Sequence, residues 1–211
     1  MSEEVFRKLL EQRAGAADVT LSSVLAEKLA AYFSLLAHWN NRINLTSLPL
    51  EPPTAQAVDR LFIEPLLAAS LIDSNVSVWF DLGSGGGSPA IPLQLVHPAS
   101  RLIMVESRDR KAAFLREAIR ALSLTVAEVE VSRIEEVAAT GHNAGVADLV
   151  TVRAVRMGAP LFSHVQKLLR FGGQAVLFGA RIGEIDLPRG LELTGTPDGS
   201  RGIVVLRRNG L

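Results

Sequence analysis

The sequence predicts an α/β protein: a doubly wound, mostly parallel, seven-stranded sheet that ends in an antiparallel hairpin and follows an N-terminal helical extension. Three observations predict it. From residue 76 onward, short β-branched runs alternate with helical periodicity, which implies βαβ units with both sheet faces covered. Residues 81–92 read DLGSGGGSPAIP, a glycine-rich turn between an apolar strand and a helix. Near the end, two strand-like stretches flank PDGS with no helix between them, which is a hairpin signal.

The elements follow in order. Residues 3–14 set Val5, Phe6, Leu9 and Leu10 on one helical stripe. Residues 21–39 repeat the stripe through Leu25, Leu29, Phe33 and Leu36, with Ser22 or Thr20 available to cap the start. The Asn and Pro residues of WNNRINLTSLPLEPP break that helix, and a third is expected over 54–72. Strands are expected at VSVWFDL, RLIMVES, AEVEVS, ADLVTVRAV and QAVLFGA, with helices near 89–96, 109–122 and 157–169. The expected division is a helical extension over 1–72 and a ligand-binding α/β domain over 73–211. A parallel sheet closed by a hairpin is unusual for a nicotinamide-binding domain. It fits the Rossmann-like class I methyltransferase variant.

Composition narrows the chemistry. A chain of 211 residues suits one sizeable domain with a short extension. It contains no cysteine, which excludes disulfides, zinc–thiolate sites, iron–sulfur clusters and a cysteine nucleophile. The opening MSEEVFRKLLEQR does not read as a signal peptide, and no apolar run is long enough for a membrane span, so a soluble cytoplasmic protein is expected. Twenty-two basic residues balance 22 acidic ones, which gives no global pull toward nucleic acid. Arginines do cluster, at Arg108, Arg110, Arg116 and Arg120 beside Lys111, at Arg153 and Arg156, and at Arg207 and Arg208. Their planar forks suit phosphate, and solvated helix faces would account for them as well. His38, His97, His142 and His164 lack metal-ligand spacing, so neither a metal nor a membrane partner is expected, and a monomer is.

Ligands in open α/β sheets sit at the carboxyl ends of the strands, beside the first strand–helix turn. Gly83, Gly85 and Gly87 let the backbone turn tightly and approach a ligand, Ser88 is placed to cap the helix, and Pro89 suits its first position. Two acids sharpen the reading. Glu106 ends the second strand, where it can take both ribose hydroxyls of either NAD or S-adenosylmethionine. Asp81 ends the first strand, where it would repel a pyrophosphate and attract the ammonium and sulfonium of S-adenosylmethionine. That favours S-adenosylmethionine over a dinucleotide.

The acceptor can be narrowed too. Methylation at C5 of a pyrimidine normally uses a cysteine, and there is none. Methylation of an exocyclic amine usually uses an Asn/Asp-Pro-Pro-aromatic turn after the fourth strand, where this chain has VTVRAVRMGAP. An acceptor such as guanine N7, with a lone pair and no proton to lose, would need positioning and electrostatics without a catalytic general base. Methylation of another RNA or a small molecule, or a non-catalytic S-adenosylmethionine-binding module, stays open.

In order, WNNRINLTS (39–47), DLGSGGGSPAIPL (81–93), VESRDRKAAFLREAIRAL (105–122), SRIEE (132–136), VTVRAV (151–156) and LLRFGGQAVLF (168–178) resemble the GidB (RsmG) family, bacterial methyltransferases that modify guanine N7 of 16S ribosomal RNA. The resemblance runs from about residue 25 to 206. It implies cofactor contacts from Gly83, Ser84, Gly85 and Gly87, ribose binding by Glu106, and Ile134 and Glu135 flanking the adenine. It implies that Arg133 and Arg153 lie near cofactor and RNA, that Asn44 and Thr46 form a polar wall of the same pocket, and that Arg156 joins the RNA-facing set. The implied partner is 16S ribosomal RNA or the small ribosomal subunit. The chain reads as a divergent member, because it departs from the family pattern at Leu61, Pro65, Ser88, Ala90 and Phe178.

Overall fold

In the computed structural model, which describes residues 2–180, 187–195 and 202–210, the alternating stretch becomes one seven-stranded sheet. Its strands are β1 (Val78–Leu82), β2 (Arg101–Val105), β3 (Ala127–Glu130), β4 (Ala147–Arg153), β5 (Leu169–Phe178), β6 (Leu191–Gly195) and β7 (Ile203–Arg208), in the order β3-β2-β1-β4-β5-β7-β6. β1 to β5 are parallel. β7 runs antiparallel between β5 and β6. The two strands of the expected hairpin therefore pair, whereas the turn PDGS lies outside the described residues. From β1 the chain winds outward through β2 and β3, then returns to the other side of β1 as β4. That reversal opens a crevice beyond the carboxyl ends of β1 and β4.

The helices are α1 (Ser2–Ala16), α2 (Ser23–Asn40), α3 (Ala55–Val58), α4 (Glu64–Ala68), α5 (Ala90–Val96), α6 (Asp109–Leu122), α7 (Ile134–Ala139) and α8 (Ala159–Leu168). Ser22 caps α2 by accepting from the Leu25 N–H at 3.2 Å. One apolar cluster joins α1, α2, α5 and α6 to one face of the sheet. A second joins α7 and α8 to the other. Phe6 of α1 stacks on Phe33 of α2 with ring centroids 4.1 Å apart, and Phe62 meets Phe6 edge-on at 4.8 Å. Phe6 and Leu10 of the first stripe and Leu29, Phe33 and Leu36 of the second are thus buried in the same cluster as Trp79 and Leu93, whereas Val5, expected on the first stripe, is exposed.

Two expectations need correction. The third helix is not one α-helix over 54–72: α3 passes into a π-turn (Asp59–Ile63), then α4, then a short 3-10 turn (Ala69–Leu71). Pro65 lies in the first turn of α4 and has no N–H to continue the hydrogen-bond ladder. Ser88 does not cap α5. The helix starts at Ala90 with Pro89 in the cap position, and the Ser88 hydroxyl turns away to donate to the Leu61 carbonyl at 2.8 Å. The six-residue helix α7 was not expected, since it is too short to show a hydrophobic period.

Candidate active site

The crevice beyond β1 and β4 is a cleft of about 830 Å³. Six segments far apart in sequence line it: the loop after α2, the π-turn, the glycine loop after β1, the end of β2 with the start of α6, the end of β4, and the end of β5.

The glycine loop is held from three sides. The N–H groups of Gly83 and Ser84 both donate to the Val105 carbonyl, at 2.9 and 3.0 Å, which ties the loop to β2. The Tyr32 hydroxyl, buried on α2, donates to the Gly86 carbonyl at 2.5 Å. Glu106 accepts from the Gly85 N–H at 3.0 Å with one oxygen and from the Arg108 N–H at 2.8 Å with the other. Both bonds fix the carboxylate and leave each oxygen a further lone pair. Gly85 sits at φ +52°, and a side chain there would be strained in this left-handed conformation. Gly86 is crowded instead: a Cβ would lie 3.3 Å from the Leu36 side chain and the Leu45 carbonyl, so the loop packs closely under α2 and its following turn.

That turn owes its shape to Asn40, whose side-chain oxygen accepts from the Leu45 and Thr46 N–H groups, both at 2.9 Å. Asn44 and Thr46 are thereby set on the cleft wall. Sequence reasoning singled out Asn44 and missed Asn40, which is a loop-former that never reaches the cleft.

Asp81 lies beneath the loop and is 1% exposed. One carboxylate oxygen accepts from the Thr151 hydroxyl at 2.5 Å, and that hydroxyl accepts from the Trp79 indole N–H at 2.8 Å. The other oxygen is buried without a partner among the described residues. Burial pushes the carboxyl up to about 6, against the pull of the nearby Ser84 and Thr151 hydroxyls and the charge of Arg153; the Ser84 hydroxyl itself donates to the Asp81 main-chain carbonyl at 3.0 Å.

Opposite the loop stands a wall of side chains. Arg153, at the end of β4, pairs with Glu64 at 3.1 Å, donates to the Arg60 carbonyl, and lays its guanidinium over the Phe178 ring, 4.6 Å from the centroid. Burial pulls Arg153 down to about 10, a value that leaves it protonated at neutral pH. Burial likewise raises the Glu64 carboxyl, while Arg153 and Arg60 hold it down. Arg60 pairs with the other Glu64 oxygen at 3.4 Å and keeps much of its side chain exposed to the cleft.

Of the residues selected from sequence, the cleft brings together Asn44, Thr46, Gly83, Ser84, Gly85, Glu106 and Arg153. Gly87 and Asp81 lie outside its lining. Arg133 lines an adjoining hollow with Ser107, Ser132 and Glu136, and Arg108 borders both spaces. Ile134 and Glu135 open α7 next to that hollow, and Arg156 is exposed outside both. Sequence reasoning missed Tyr32, Arg60 and Glu64 as partners of the site. The signal available for Glu64 was its place in RLFIEP, an acid among apolar residues on a helix face.

The family profile described as "GidB: rRNA small subunit methyltransferase G" matches residues 25–188. A protein named ribosomal RNA small subunit methyltransferase G from Stenotrophomonas maltophilia is 39% identical over 166 residues, covering 78% of this chain and 72% of that one. One of the same name from Xanthomonas campestris pv. campestris is 32% identical over 209 residues, covering 90% of each. Among solved structures, the O-methyltransferase TomG from Streptomyces achromogenes, in complex with SAM, superimposes with a TM-score of 0.59 at 18% identity, covering 85% of this chain and 90% of that one. A methyltransferase from Geobacter sulfurreducens gives 0.51 at 17% identity, covering 70% and 77%. At such identities these two structures speak for the fold alone: the class I, Rossmann-like methyltransferase sheet.

Proposed function

This chain belongs to the GidB family of small-subunit ribosomal RNA methyltransferases, and from that premise we propose that it uses S-adenosylmethionine to methylate guanine N7 of 16S ribosomal RNA. The observation that carries the proposal is a single cleft with a main-chain cradle on one side and an arginine wall on the other. The cradle suits the cofactor. Glu106, fixed by two N–H donors, has lone pairs free for ribose hydroxyls. The Asp81 carboxylate buried beneath the loop places negative charge under the cradle, which favours a cationic ligand, and the open side of Gly85 leaves room for it. Ser107, Ser132 and Arg133 border the hollow where the adenine would lie, with Ile134 and Glu135 at its edge. When bound, S-adenosylmethionine supplies an electrophilic methyl group on a sulfonium.

The chain's own contribution is positioning. Glu106 is the sole acid among the described residues lining the cleft, and main-chain N–H groups engage both of its oxygens. That supports an acceptor that has no proton to lose, as guanine N7 has none. Arg60, Arg108 and Lys111 bring cations to the cleft, and the forks of Arg60 and Arg108 suit phosphate. Asn44 and Thr46 add a polar edge, while Arg153 stiffens the wall behind. Incubation with labelled S-adenosylmethionine and small ribosomal subunits from a strain lacking this activity should place the label on guanine N7. Label on small molecules or proteins alone would overturn the RNA assignment.

A further inference from the structure

The helix that carries Arg60 and Leu61 changes register beside the cleft, and the change has a chemical cause. In the π-turn the Glu64 N–H donates to the Asp59 carbonyl, five residues back. That register passes the Arg60 carbonyl to residue 65, and ordinary α-helical register would pass the Leu61 carbonyl to the same residue. Residue 65 is proline and has no N–H to give. Two adjacent carbonyls thus look to one missing donor. Side chains from outside the helix reach both: the Arg153 guanidinium donates to Arg60, and the Ser88 hydroxyl donates to Leu61 at 2.8 Å.

We infer that Ser88 is a positioning residue, which supplies the hydrogen bond Pro65 withholds and so fastens the Arg60–Leu61 wall to the end of the glycine loop. Leu61 and Ser88 line the same cleft, so this bond joins its acceptor side directly to its cofactor side. Arg153 ties the same turn to the end of β4, but among the described residues only Ser88 ties it to the loop. Losing the hydroxyl leaves the loop's own bonds to Val105, Glu106 and Tyr32 in place. It frees Arg60 and Leu61 to drift from the acceptor. The inference rests on the cleft being the methyltransferase site.

The test compares the wild-type chain with Ser88→Ala, Pro65→Ala and the double variant, with Ser88→Thr as rescue. Pro65→Ala returns an N–H to the helix and lets it settle into ordinary α register, in which that N–H serves the Leu61 carbonyl. In denaturant titrations Ser88→Ala should raise the unfolding constant about tenfold in the wild-type background, the order expected for a buried carbonyl losing its donor, and about twofold or less in the Pro65→Ala background. In methylation of small subunits Ser88→Ala should raise the KM for the subunit about fivefold, with calorimetric affinity for S-adenosylmethionine changed by less than about twofold, and Ser88→Thr should restore the KM. Equal stability losses in both backgrounds, or cofactor affinity falling as far as the KM rises, would overturn the inference. If the wild-type chain methylates no ribosomal substrate, the functional reading fails, while the denaturant cycle and calorimetry still decide for or against the Ser88 bond.

Discussion

On one side of the cleft, Gly83 to Gly86 present main-chain groups, held by Val105, Glu106 and Tyr32. On the other, Arg153 stands on Phe178 and against Glu64, a set of side chains taken from a strand end, a second strand end and a helix. The first side depends on what is missing: a Cβ at Gly85 would be strained and one at Gly86 would be crowded. The second depends on what is present, because a buried carboxylate without its cation is costly. Substitutions should therefore damage the two sides differently, in cofactor binding on one and in folding stability on the other.

Three experiments would break or sharpen that contrast. The largest effect should come from Gly85→Val, since a β-branched residue is strained at φ +52° and its side chain would fill the cradle. Calorimetry should detect no binding of S-adenosylmethionine while circular dichroism stays native. Retained affinity would show that the cradle is not where the cofactor sits. Next in size is Arg153→Met, which strands Glu64 with only the more distant Arg60 as partner. It should cost about 3–5 kcal/mol of unfolding free energy, and adding Glu64→Met should recover most of the loss. If the single variant is as stable as wild type, the wall does not depend on its ion pair.

The third experiment concerns Asp81, which lies under the loop yet shares the burial of the wall. Its folded carboxyl is raised to about 6, above its unfolded value, so the folded state holds the proton more tightly. Stability is then lost as pH rises from about 4 to about 6, and the cost persists at neutral pH, at about 3 kcal/mol at most. Asp81→Asn should therefore be more stable than wild type in urea at pH 7 and no different at pH 4. Cofactor affinity should move the other way: the wild type should bind the cationic cofactor more tightly at pH 7.5 than at pH 5, and the variant should lose that dependence. A stability gain that did not vary with pH would point to packing instead of charge.

Much of the glycine-loop side of the cleft was legible in the sequence. Its parts are consecutive, and a positive-φ turn after an apolar strand writes itself as glycine. Glu106 could be found in the same way, at the end of the next β-branched run. The opposite wall was not legible, because Arg60, Glu64, Arg153 and Phe178 have no local pattern that declares their contacts. Arg153 was recognised as a site residue, but nothing near it in the chain names Glu64 as its partner. Ser88 was misassigned for a related reason. Its position before Pro89 looks like a helix cap, and the competing acceptor, the Leu61 carbonyl, lies 27 residues away on another element.

The sequence alone determined the alternation of strands and helices after residue 76 apart from the short α7, the place of the glycine loop and the acids at the strand ends. Those depend on periodicity and on backbone conformations available to single residues. Only the tertiary structure decided that Asp81 is buried with one oxygen unpartnered, that Arg153 faces inward onto Phe178 and Glu64, and that Ser88 answers Pro65 across the cleft. Such contacts depend on which distant groups the sheet's reversal brings together, and on the need of each buried donor and acceptor for a partner.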